Sequence, residues 1–339
     1  MMKKKERVVV VCPGRGTYTK ETLGYLKKYR PQYQDFFNTL DKKRKTLGAP
    51  TISEMDSEEI FKPSMHTKGE NASALIYACS FADFMSLDPD KYEVVAVTGN
   101  SMGWYIALAV AGVLDVNGAF EVINTMGSMM KDQIIGGQII YPTTDENWQK
   151  KADALPMIEA AIQEANQVSG GEAHVSIHLG GYLVIGGQQK ALDFLLKKLP
   201  KIENYPFQLI NHAAFHTPLL KSTSEKAFQI LHQDLFHAPK IPLIDGRGHI
   251  WTEFATSQEE IYRYTFDHQV VKAYDFTKSI SVALKEFCPD RLILLGPGNS
   301  LGGAIGQILI ENNWNRLASK KDFSDLQATN PFLVSLGRA

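Results

Sequence analysis

The chain has 339 residues, of which 44% are hydrophobic and 22% are charged, and its formal net charge is −1 at pH 7. This composition supplies a large buried core, in one large domain or two smaller ones. It excludes the basic field with which proteins bind nucleic acids or anionic membranes, and no apolar run approaches the length of a membrane span. The apolar run after the basic start is too short for a signal peptide. Three dispersed cysteines without metal-ligand spacing indicate a reducing cytoplasm.

The first third of the chain predicts alternating strands and helices. Residues 8–12 (VVVVC) are typical of a buried parallel strand. This strand leads into the sequence PGRGT at residues 13–17, a turn whose glycines leave backbone N–H groups exposed. An ordinary turn at the end of a strand explains the same residues equally well. A charged helical stretch, a loop with short helical pieces and an apolar helix follow at residues 25–47, 50–65 and 72–85.

The most informative stretch lies at residues 94–114. Its first four residues predict a buried strand, and residues 104–114 predict a mostly apolar helix. Between them, GNSMG at residues 99–103 matches the G-x-S-x-G nucleophile elbow, in which glycines permit a tight strand-to-helix turn. Backbone N–H groups and the helix dipole would stabilise an oxyanion formed beside Ser101. A serine that only caps the helix is the alternative, but the flanking strand and helix favour a nucleophile.

The middle of the chain predicts a separate small unit. A helix at residues 115–130 is followed by strands and helices in the order β-α-β-β-α-β, at residues 133–142, 155–168, 174–178, 182–185, 191–199 and 205–210. This order is the ferredoxin-like signature. We therefore predict a small subdomain at residues 132–205, inserted into a large α/β subdomain made of residues 1–131 and 206–339.

The last third predicts a return to the large subdomain. Helices are expected at residues 219–231, 275–286 and 304–310, and strands at residues 241–244 and 292–295. The glycine turn GPGNSLGG at residues 296–303 lacks the G-x-G-x-x-G spacing and the Lys-Ser/Thr pair of nucleotide-binding loops, which disfavours a nucleotide site. A serine nucleophile needs a base, and composition does not choose among the nine histidines.

Four motifs occur in the order and spacing of the malonyl-CoA:acyl carrier protein transacylase family, which includes the acyltransferase domains of fatty-acid and polyketide synthases. They are CPGRG, GNSMG, AFHTPLL and LGPG, at residues 12–16, 99–103, 214–220 and 295–298. The chain resembles this family from about residue 8 to about residue 310. The resemblance implies an α/β-hydrolase-like large subdomain with a parallel sheet and an inserted ferredoxin-like small subdomain, which agrees with the predicted order of elements.

The resemblance also implies roles for individual residues. Ser101 would be the nucleophile that accepts the acyl group, and His216 would be its base. A backbone carbonyl would orient that histidine, and the matching position is Gln269. The oxyanion hole would use the backbone N–H groups of Met102 and Arg15. The family usually has glutamine at the position of Arg15, but a main-chain role tolerates this change of side chain.

The acyl pocket departs from the family pattern. Met126 stands where a helix arginine of the family pairs with the malonyl carboxylate, and it has no hydrogen-bond donor. A methionine suits an uncharged acyl chain, although Arg15 could reach a carboxylate from the opposite wall. Asn100 and His178 replace a histidine and an asparagine of the family. The residues expected in the acyl pocket are Asn100, Met126, Met130, His178 and Phe215.

We therefore predict an acyltransferase of fatty-acid or polyketide biosynthesis. It would move a malonyl or an uncharged acyl group from acyl-CoA, through an acyl-serine, to the phosphopantetheine thiol of an acyl carrier protein. An acyl carrier protein hydrolase with the same fold is the alternative, and a carrier-binding scaffold with a decayed site is a third reading. No metal, no permanently bound cofactor and no nucleic-acid or membrane partner is expected, and the default oligomeric state is a monomer.

Overall fold

The computed structural model describes residues 4–131 and 133–338. Its strands form one sheet of six and one sheet of five. In chain order the strands are β1 Glu6–Cys12, β2 Tyr92–Gly99, β3 Gly137–Pro142, β4 Ala173–Leu179, β5 Tyr182–Gly187, β6 Phe207–Gln208, β7 Leu243–Ile244, β8 Ile250–Trp251, β9 Tyr274–Asp275, β10 Arg291–Leu294 and β11 Leu333–Ser335.

Helices connect and cover these strands. In chain order they are α1 Gln34–Thr46, α2 Ile52–Asp56, α3 Pro63–His66, α4 Gly69–Met85, α5 Gly103–Val110, α6 Val116–Ser128, α7 Ala154–Val168, α8 Gln189–Lys198, α9 Lys221–Ile230, α10 Gln258–Phe266, α11 His268–Val271, α12 Phe276–Phe287, α13 Gly302–Glu311 and α14 Lys320–Thr329. In the part of the chain that the structure describes, no helix is long and apolar enough to cross a membrane.

The larger sheet is built around β1 and β2. Its strand order is β11-β10-β1-β2-β7-β8, and every pair is parallel except β7 with β8. The four consecutive valines at residues 8–11 are all fully buried, so both faces of the sheet are covered, as parallel sheets require. The register of the two central strands places Cys12 beside Gly99. Their carboxyl ends therefore lie next to each other.

The smaller sheet has the order β6-β3-β5-β4-β9. Strands β3 to β6 with helices α7 and α8 follow the predicted β-α-β-β-α-β order, and β9 of the later chain adds a parallel edge strand beside β4. This unit has its own hydrophobic cluster, which includes Ile139, Ile158 and Leu195. The predicted fold class, an α/β large unit with a ferredoxin-like small one, is confirmed. Strand β6 at Phe207–Gln208 pairs with β3 and thus lies just beyond residue 205, the predicted end of the small unit.

Two predicted helices are shorter in the structure, for local reasons. The helical stretch predicted at residues 25–47 begins as a single 3-10 turn at Tyr25–Lys28, and α1 starts only after Pro31. Proline has no N–H to donate and disfavours helical backbone in the preceding residue. The helix predicted to reach residue 114 ends at Val110 because Gly112 adopts a left-handed φ of 75°. Helices α10 and α14 were not predicted.

The glycine turn after β10 is a packing feature. The backbone N–H of Gly296 donates to the Asp83 carboxylate at 2.6 Å, and its carbonyl accepts from the Ser80 hydroxyl at 2.5 Å. A Cβ atom at Gly296 would lie 2.1 Å from the Tyr25 hydroxyl. The backbone N–H and carbonyl of Gly296 are therefore hydrogen-bonded within the protein and are not free to bind a phosphate. This agrees with the sequence argument against a nucleotide site.

Candidate active site

Two loops leave the larger sheet side by side and carry the first candidate residues. Because β1 and β2 are parallel neighbours, the turn after Cys12 and the turn after Gly99 emerge at the same edge. The backbone N–H of Asn100 donates to the Cys12 carbonyl at 3.1 Å and joins the two turns. The carboxyl ends of parallel strands are where ligands bind in open α/β sheets. Arg15 and Ser101 are therefore placed together by the topology.

The turn at Ser101 is tight, and its two glycines are required by close packing. A Cβ atom at Gly99 would lie 2.2 Å from the Gly103 carbonyl oxygen, and one at Gly103 would lie 2.3 Å from the Cys12 carbonyl oxygen. Neither glycine has a positive φ. Ser101 itself adopts a left-handed φ of 55°, a conformation that is uncommon for residues other than glycine and is concentrated at functional sites. The strained backbone conformation in this turn is therefore that of Ser101, the candidate nucleophile.

Ser101 and His216 form a direct contact although they are far apart in sequence. The Ser101 Oγ lies 2.8 Å from the His216 Nε2, and the His216 Nδ1 lies 2.5 Å from the Gln269 carbonyl oxygen. A carbonyl oxygen only accepts hydrogen bonds, so Nδ1 carries the proton and Nε2 presents its lone pair to the serine hydroxyl. This is the tautomer that a base beside a serine needs. The structure thus brings together the three residues that the resemblance implied.

Gln269 holds both members of this pair. Its side-chain Nε2 donates to the Ser101 carbonyl at 3.0 Å, while its Oε1 accepts from the Tyr105 hydroxyl at 2.9 Å. The backbone N–H of His216 donates to the Val270 carbonyl at 2.8 Å. The segment at residues 269–270 therefore fixes the serine turn and the histidine loop at the same time. Sequence reasoning missed Tyr105, whose position in the apolar helix after the turn gave no sign of this bond.

The histidine is kept neutral. Burial lowers the pKa of His216 to about 4, and the Gln269 carbonyl opposes this effect by accepting the Nδ1 proton. Only 1% of the residue is exposed, so an imidazolium would have little water to solvate it. At neutral pH the ring is consequently available as a proton acceptor.

The first testable consequence concerns pH. Protonation of Nε2 removes the lone pair that receives the serine proton, so reactivity is lost as the pH falls through the pKa of His216. We expect the rate at which a fluorophosphonate probe labels Ser101 to stay level from pH 8 to pH 5.5. It should reach half its plateau near pH 4, the value to which burial lowers this pKa. Circular dichroism at each pH controls for unfolding, and a midpoint near the ordinary histidine value would contradict this account.

Two backbone donors are free beside the serine. The N–H groups of Arg15 and Met102 enter no hydrogen bond among the described residues. Met102 directly precedes α5, the helix that begins at Gly103. Unpaired N–H groups at a helix N-terminus are suited to stabilising a negatively charged oxygen. Both predicted oxyanion donors are therefore available at the site.

The cavity at Ser101 is small, with a volume of about 30 Å³, which is space for about one or two water molecules. It contains Met126 and Phe215 from the predicted acyl pocket. Met130 lines an adjoining cavity of about 450 Å³ that shares Arg15 and Gly127 with the first. The residues lining the smaller cavity are Arg15, Ser73, Ser101, Met102, Tyr105, Met126, Gly127, Phe215, His216 and Gln269.

Two residues expected in the acyl pocket lie elsewhere. Asn100 lines neither cavity, and its buried side chain packs against the turn at Gly14. His178 lines a separate cavity with Asp275 and Thr277. The pairing of β4 with β5 is irregular between Val175 and Ile177, and Ser176 at this point contacts the histidine loop. The Ser176 hydroxyl donates to the Phe215 carbonyl at 2.8 Å.

Metal ligation has no candidate among the residues described. In residues 4–131 and 133–338, no group of three or more histidine, cysteine, aspartate or glutamate side chains is arranged to hold an ion.

Comparison with known proteins shows which proteins the chain is similar to. No family model matches the chain. It is 22% identical over 307 residues to the malonyl CoA-acyl carrier protein transacylase of Bacillus subtilis, covering 89% of this chain and 90% of that protein. It is 24% identical to the Haemophilus influenzae protein of the same name, covering 97% of this chain and all of that protein. Over most of its length the chain is therefore similar to proteins named malonyl CoA-acyl carrier protein transacylase, which agrees with the resemblance carried by its motifs.

Solved structures share the fold of this chain. FabD from Acinetobacter baumannii superposes with a TM-score of 0.73 at 18% identity, covering 89% of this chain and 91% of that one. A malonyl-transacylase solved in complex with its type II polyketide synthase acyl carrier protein gives a TM-score of 0.71 at 19% identity, covering 98% and 95%. At these identities the similarity establishes the two-part α/β fold of the chain.

Proposed function

We propose that the chain is an acyltransferase that carries an acyl group as an ester of Ser101. The acyl group would come from acyl-CoA and pass to the phosphopantetheine thiol of an acyl carrier protein, in fatty-acid or polyketide synthesis. The observation that carries the proposal is the pair of contacts, 2.8 Å and 2.5 Å, that join Ser101, His216 and the Gln269 carbonyl. The names of two relatives, which match 89% and 97% of the chain, support the same activity.

The first step forms the acyl-enzyme. As the Ser101 Oγ attacks the thioester carbonyl carbon, its proton passes to the His216 Nε2. The carbonyl oxygen becomes an oxyanion and accepts hydrogen bonds from the N–H groups of Arg15 and Met102. When the tetrahedral intermediate collapses, the carbon–sulfur bond breaks, and the thiolate of coenzyme A leaves with the proton that His216 had taken.

The second step reverses these roles with a different thiol. The phosphopantetheine thiol gives its proton to the His216 Nε2, and its sulfur attacks the acyl ester. The ester bond to Ser101 then breaks, and the serine oxygen recovers the proton from His216. The enzyme returns to its starting state, with free coenzyme A and an acylated carrier protein as products.

The neutral carbonyl behind His216 suits this reaction. A carboxylate in the same place would stabilise an imidazolium, whereas the Gln269 carbonyl chiefly fixes the tautomer and the orientation of the ring. A thiol has an ordinary pKa of about 8.5, so a thiolate leaves without a strong acid and a thiol loses its proton to a mild base. The two thiols therefore need little help from the histidine, whose main task is to exchange a proton with the Ser101 hydroxyl.

Intact-protein mass spectrometry tests the proposal. The protein is exposed briefly to malonyl-CoA, to acetyl-CoA or to a longer acyl-CoA, and then to a phosphopantetheinylated acyl carrier protein. We expect an acyl adduct that persists without an acceptor and moves to the carrier protein when it is added. A carrier protein without its phosphopantetheine arm is the matched control and should leave the adduct in place.

The same experiment separates the alternatives. Met126, which offers no donor to a carboxylate, motivates a hydrolase that removes uncharged acyl groups from carrier proteins. Free acid that accumulates without any thiol acceptor would support hydrolysis, whereas a stable acyl-enzyme would contradict it. If no acyl-CoA formed an adduct while the fluorophosphonate probe still labelled Ser101, transfer from coenzyme A would be refuted.

A further inference from the structure

Tyr274 brings a phenol from the smaller sheet to the candidate active site. Its backbone belongs to β9, the edge strand that pairs in parallel with β4 at Ile177. Its side chain belongs to the hydrophobic core around the larger sheet, and only 1% of the residue is exposed. Tyr274 lines neither the cavity at Ser101 nor the adjoining cavity that contains Met130. Any effect of this phenol on the reaction must therefore act through other residues.

The Tyr274 hydroxyl holds the serine turn. It donates to the Gly99 carbonyl at 2.5 Å, and Gly99 is the last residue of β2, two positions before Ser101. A carbonyl only accepts hydrogen bonds, so the phenol is the protonated donor. Burial, followed by the negative charge of Asp245, raises the pKa of this hydroxyl well above its ordinary value and keeps the proton in place. Because a strained backbone persists only where its surroundings fix it, this bond is one of the contacts that restrain the left-handed Ser101.

The ring of Tyr274 packs against the candidate base. Its centroid lies 5.4 Å from that of the His216 imidazole, and the two planes are inclined by 54°. Among the described residues, the other ring that packs against this imidazole is that of Phe215, the preceding residue in the chain. Tyr274 is therefore the aromatic contact that reaches His216 from a different element of the fold.

Gly246 fixes the position of the Tyr274 ring. A Cβ atom at Gly246 would lie 2.5 Å from the ring Cδ2 and 2.6 Å from the ring Cε2, so the backbone of this glycine lies directly against the ring. The Gly246 carbonyl also accepts the backbone N–H of Asp275 at 2.8 Å. In a close-packed interior such a ring has little room to move. One rigid side chain thus contacts both the serine turn and the imidazole.

We propose that Tyr274 is a positioning residue, which sets the distance between the Ser101 Oγ and the His216 Nε2 by holding the serine turn with its hydroxyl and the imidazole with its ring. The inference rests on the proposed function in taking Ser101 as the nucleophile and His216 as its base. Gln269 joins the same two residues by hydrogen bonds, whereas Tyr274 adds contacts from β9. The geometry of the reacting pair therefore depends on the smaller sheet as well as on the larger one.

Labelling of Ser101 by the fluorophosphonate probe tests the inference in the full-length protein. Measured over a range of probe concentrations, the labelling rate separates into a maximal rate constant and a half-saturating concentration. In Tyr274→Phe, which removes the hydroxyl and keeps the ring, we expect the maximal rate constant to fall about tenfold because the serine turn is less well aligned. The half-saturating concentration should change less than about twofold, since Tyr274 lines neither cavity at the site.

Tyr264→Phe is the matched control. The Tyr264 hydroxyl is also buried and accepts the backbone N–H of Gly246 at 2.8 Å. Within the described residues it forms no hydrogen bond with the serine turn, and its ring makes no contact with that of His216. This variant loses a buried hydrogen bond of the same kind, so its stability in a denaturant titration should fall about as much as that of Tyr274→Phe. Its maximal rate constant should nevertheless stay within about twofold of that of the unmodified protein.

A second variant keeps the inference falsifiable if Tyr274→Phe folds poorly. Gly246→Ala keeps the Tyr274 hydroxyl but forces its ring to move, and the maximal rate constant should again fall, by at least about threefold. A maximal rate constant that stays unchanged in both variants, or falls equally in Tyr264→Phe, would overturn the inference and leave acyl transfer intact. Absence of Ser101 labelling in the unmodified protein would refute the proposed function as well, because that function requires a reactive serine.

Discussion

Ser101→Ala is expected to abolish the covalent acyl adduct and to slow transfer to the carrier protein by at least about 10⁴-fold. The Ser101 Oγ is the group that His216 contacts at 2.8 Å, and the adjacent N–H donors serve only a carbonyl attacked from this position. Alanine removes the oxygen but keeps a Cβ atom, so the left-handed backbone is no more strained than before. Intact-protein mass after exposure to malonyl-CoA and acetyl-CoA measures the effect.

The matched control is Ser73→Ala, in the same cavity. The Ser73 hydroxyl is buried and has no hydrogen-bond partner among the described residues, and no histidine contacts it. A hydroxyl without a base is a weak nucleophile, so this variant should still form the adduct. Labelling that survives in Ser101→Ala and disappears in Ser73→Ala would mean that the wrong serine has been assigned.

Gly103→Ala should be among the most destabilising single-methyl additions in the chain. Its Cβ atom would lie 2.3 Å from the Cys12 carbonyl oxygen and 2.8 Å from that of Pro13, and both oxygens belong to backbone at the end of a central strand. Neither can move without shifting β1 or α5. We expect the free energy of unfolding to fall by about 2–4 kcal/mol, measured by denaturant titration. Acylation of Ser101 should slow as well, because the displaced turn carries the serine.

Gly303→Ala provides the same substitution without the clash. Gly303 is the second residue of α13, and a Cβ atom there would meet nothing within 4 Å. Alanine favours helix over glycine by up to about 1 kcal/mol, so the control should be neutral or slightly stabilising. If the two variants had equal stability, the packing of the serine turn against β1 would be looser than these distances indicate.

Two backbone carbonyls of one short segment hold His216, the candidate base, in place. Its Nδ1 is bound by the Gln269 carbonyl, and its own N–H is bound by the Val270 carbonyl. The Gln269 side chain meanwhile holds the Ser101 carbonyl. A single short segment thus positions the base and the nucleophile, which reduces the motion needed to bring them into contact.

The order of elements could be predicted from the sequence because it depends on local patterns. Runs such as the four valines at residues 8–11 identify buried strands, and G-x-S-x-G between a strand and a helix identifies a serine turn. The change from long apolar strands to a β-α-β-β-α-β pattern separates the small unit from the large one. The predicted boundaries of two helices were wrong near Pro31 and Gly112, because a single residue can decide where a helix begins or ends.

Other features were decided by the tertiary structure alone. His216 and Gln269 are 53 residues apart, and the atom that orients the ring is a backbone carbonyl, which has no residue-type signature. Ser176, at the irregularity in β4, lies beside the histidine loop, whereas His178 lines a separate cavity. Whether the Nε of Arg15 finds a hydrogen-bond acceptor depends on how the neighbouring turns and helices pack around it, and among the described residues it finds none. Local pattern determines which elements form, whereas long-range packing determines which side chains meet and which remain without a partner.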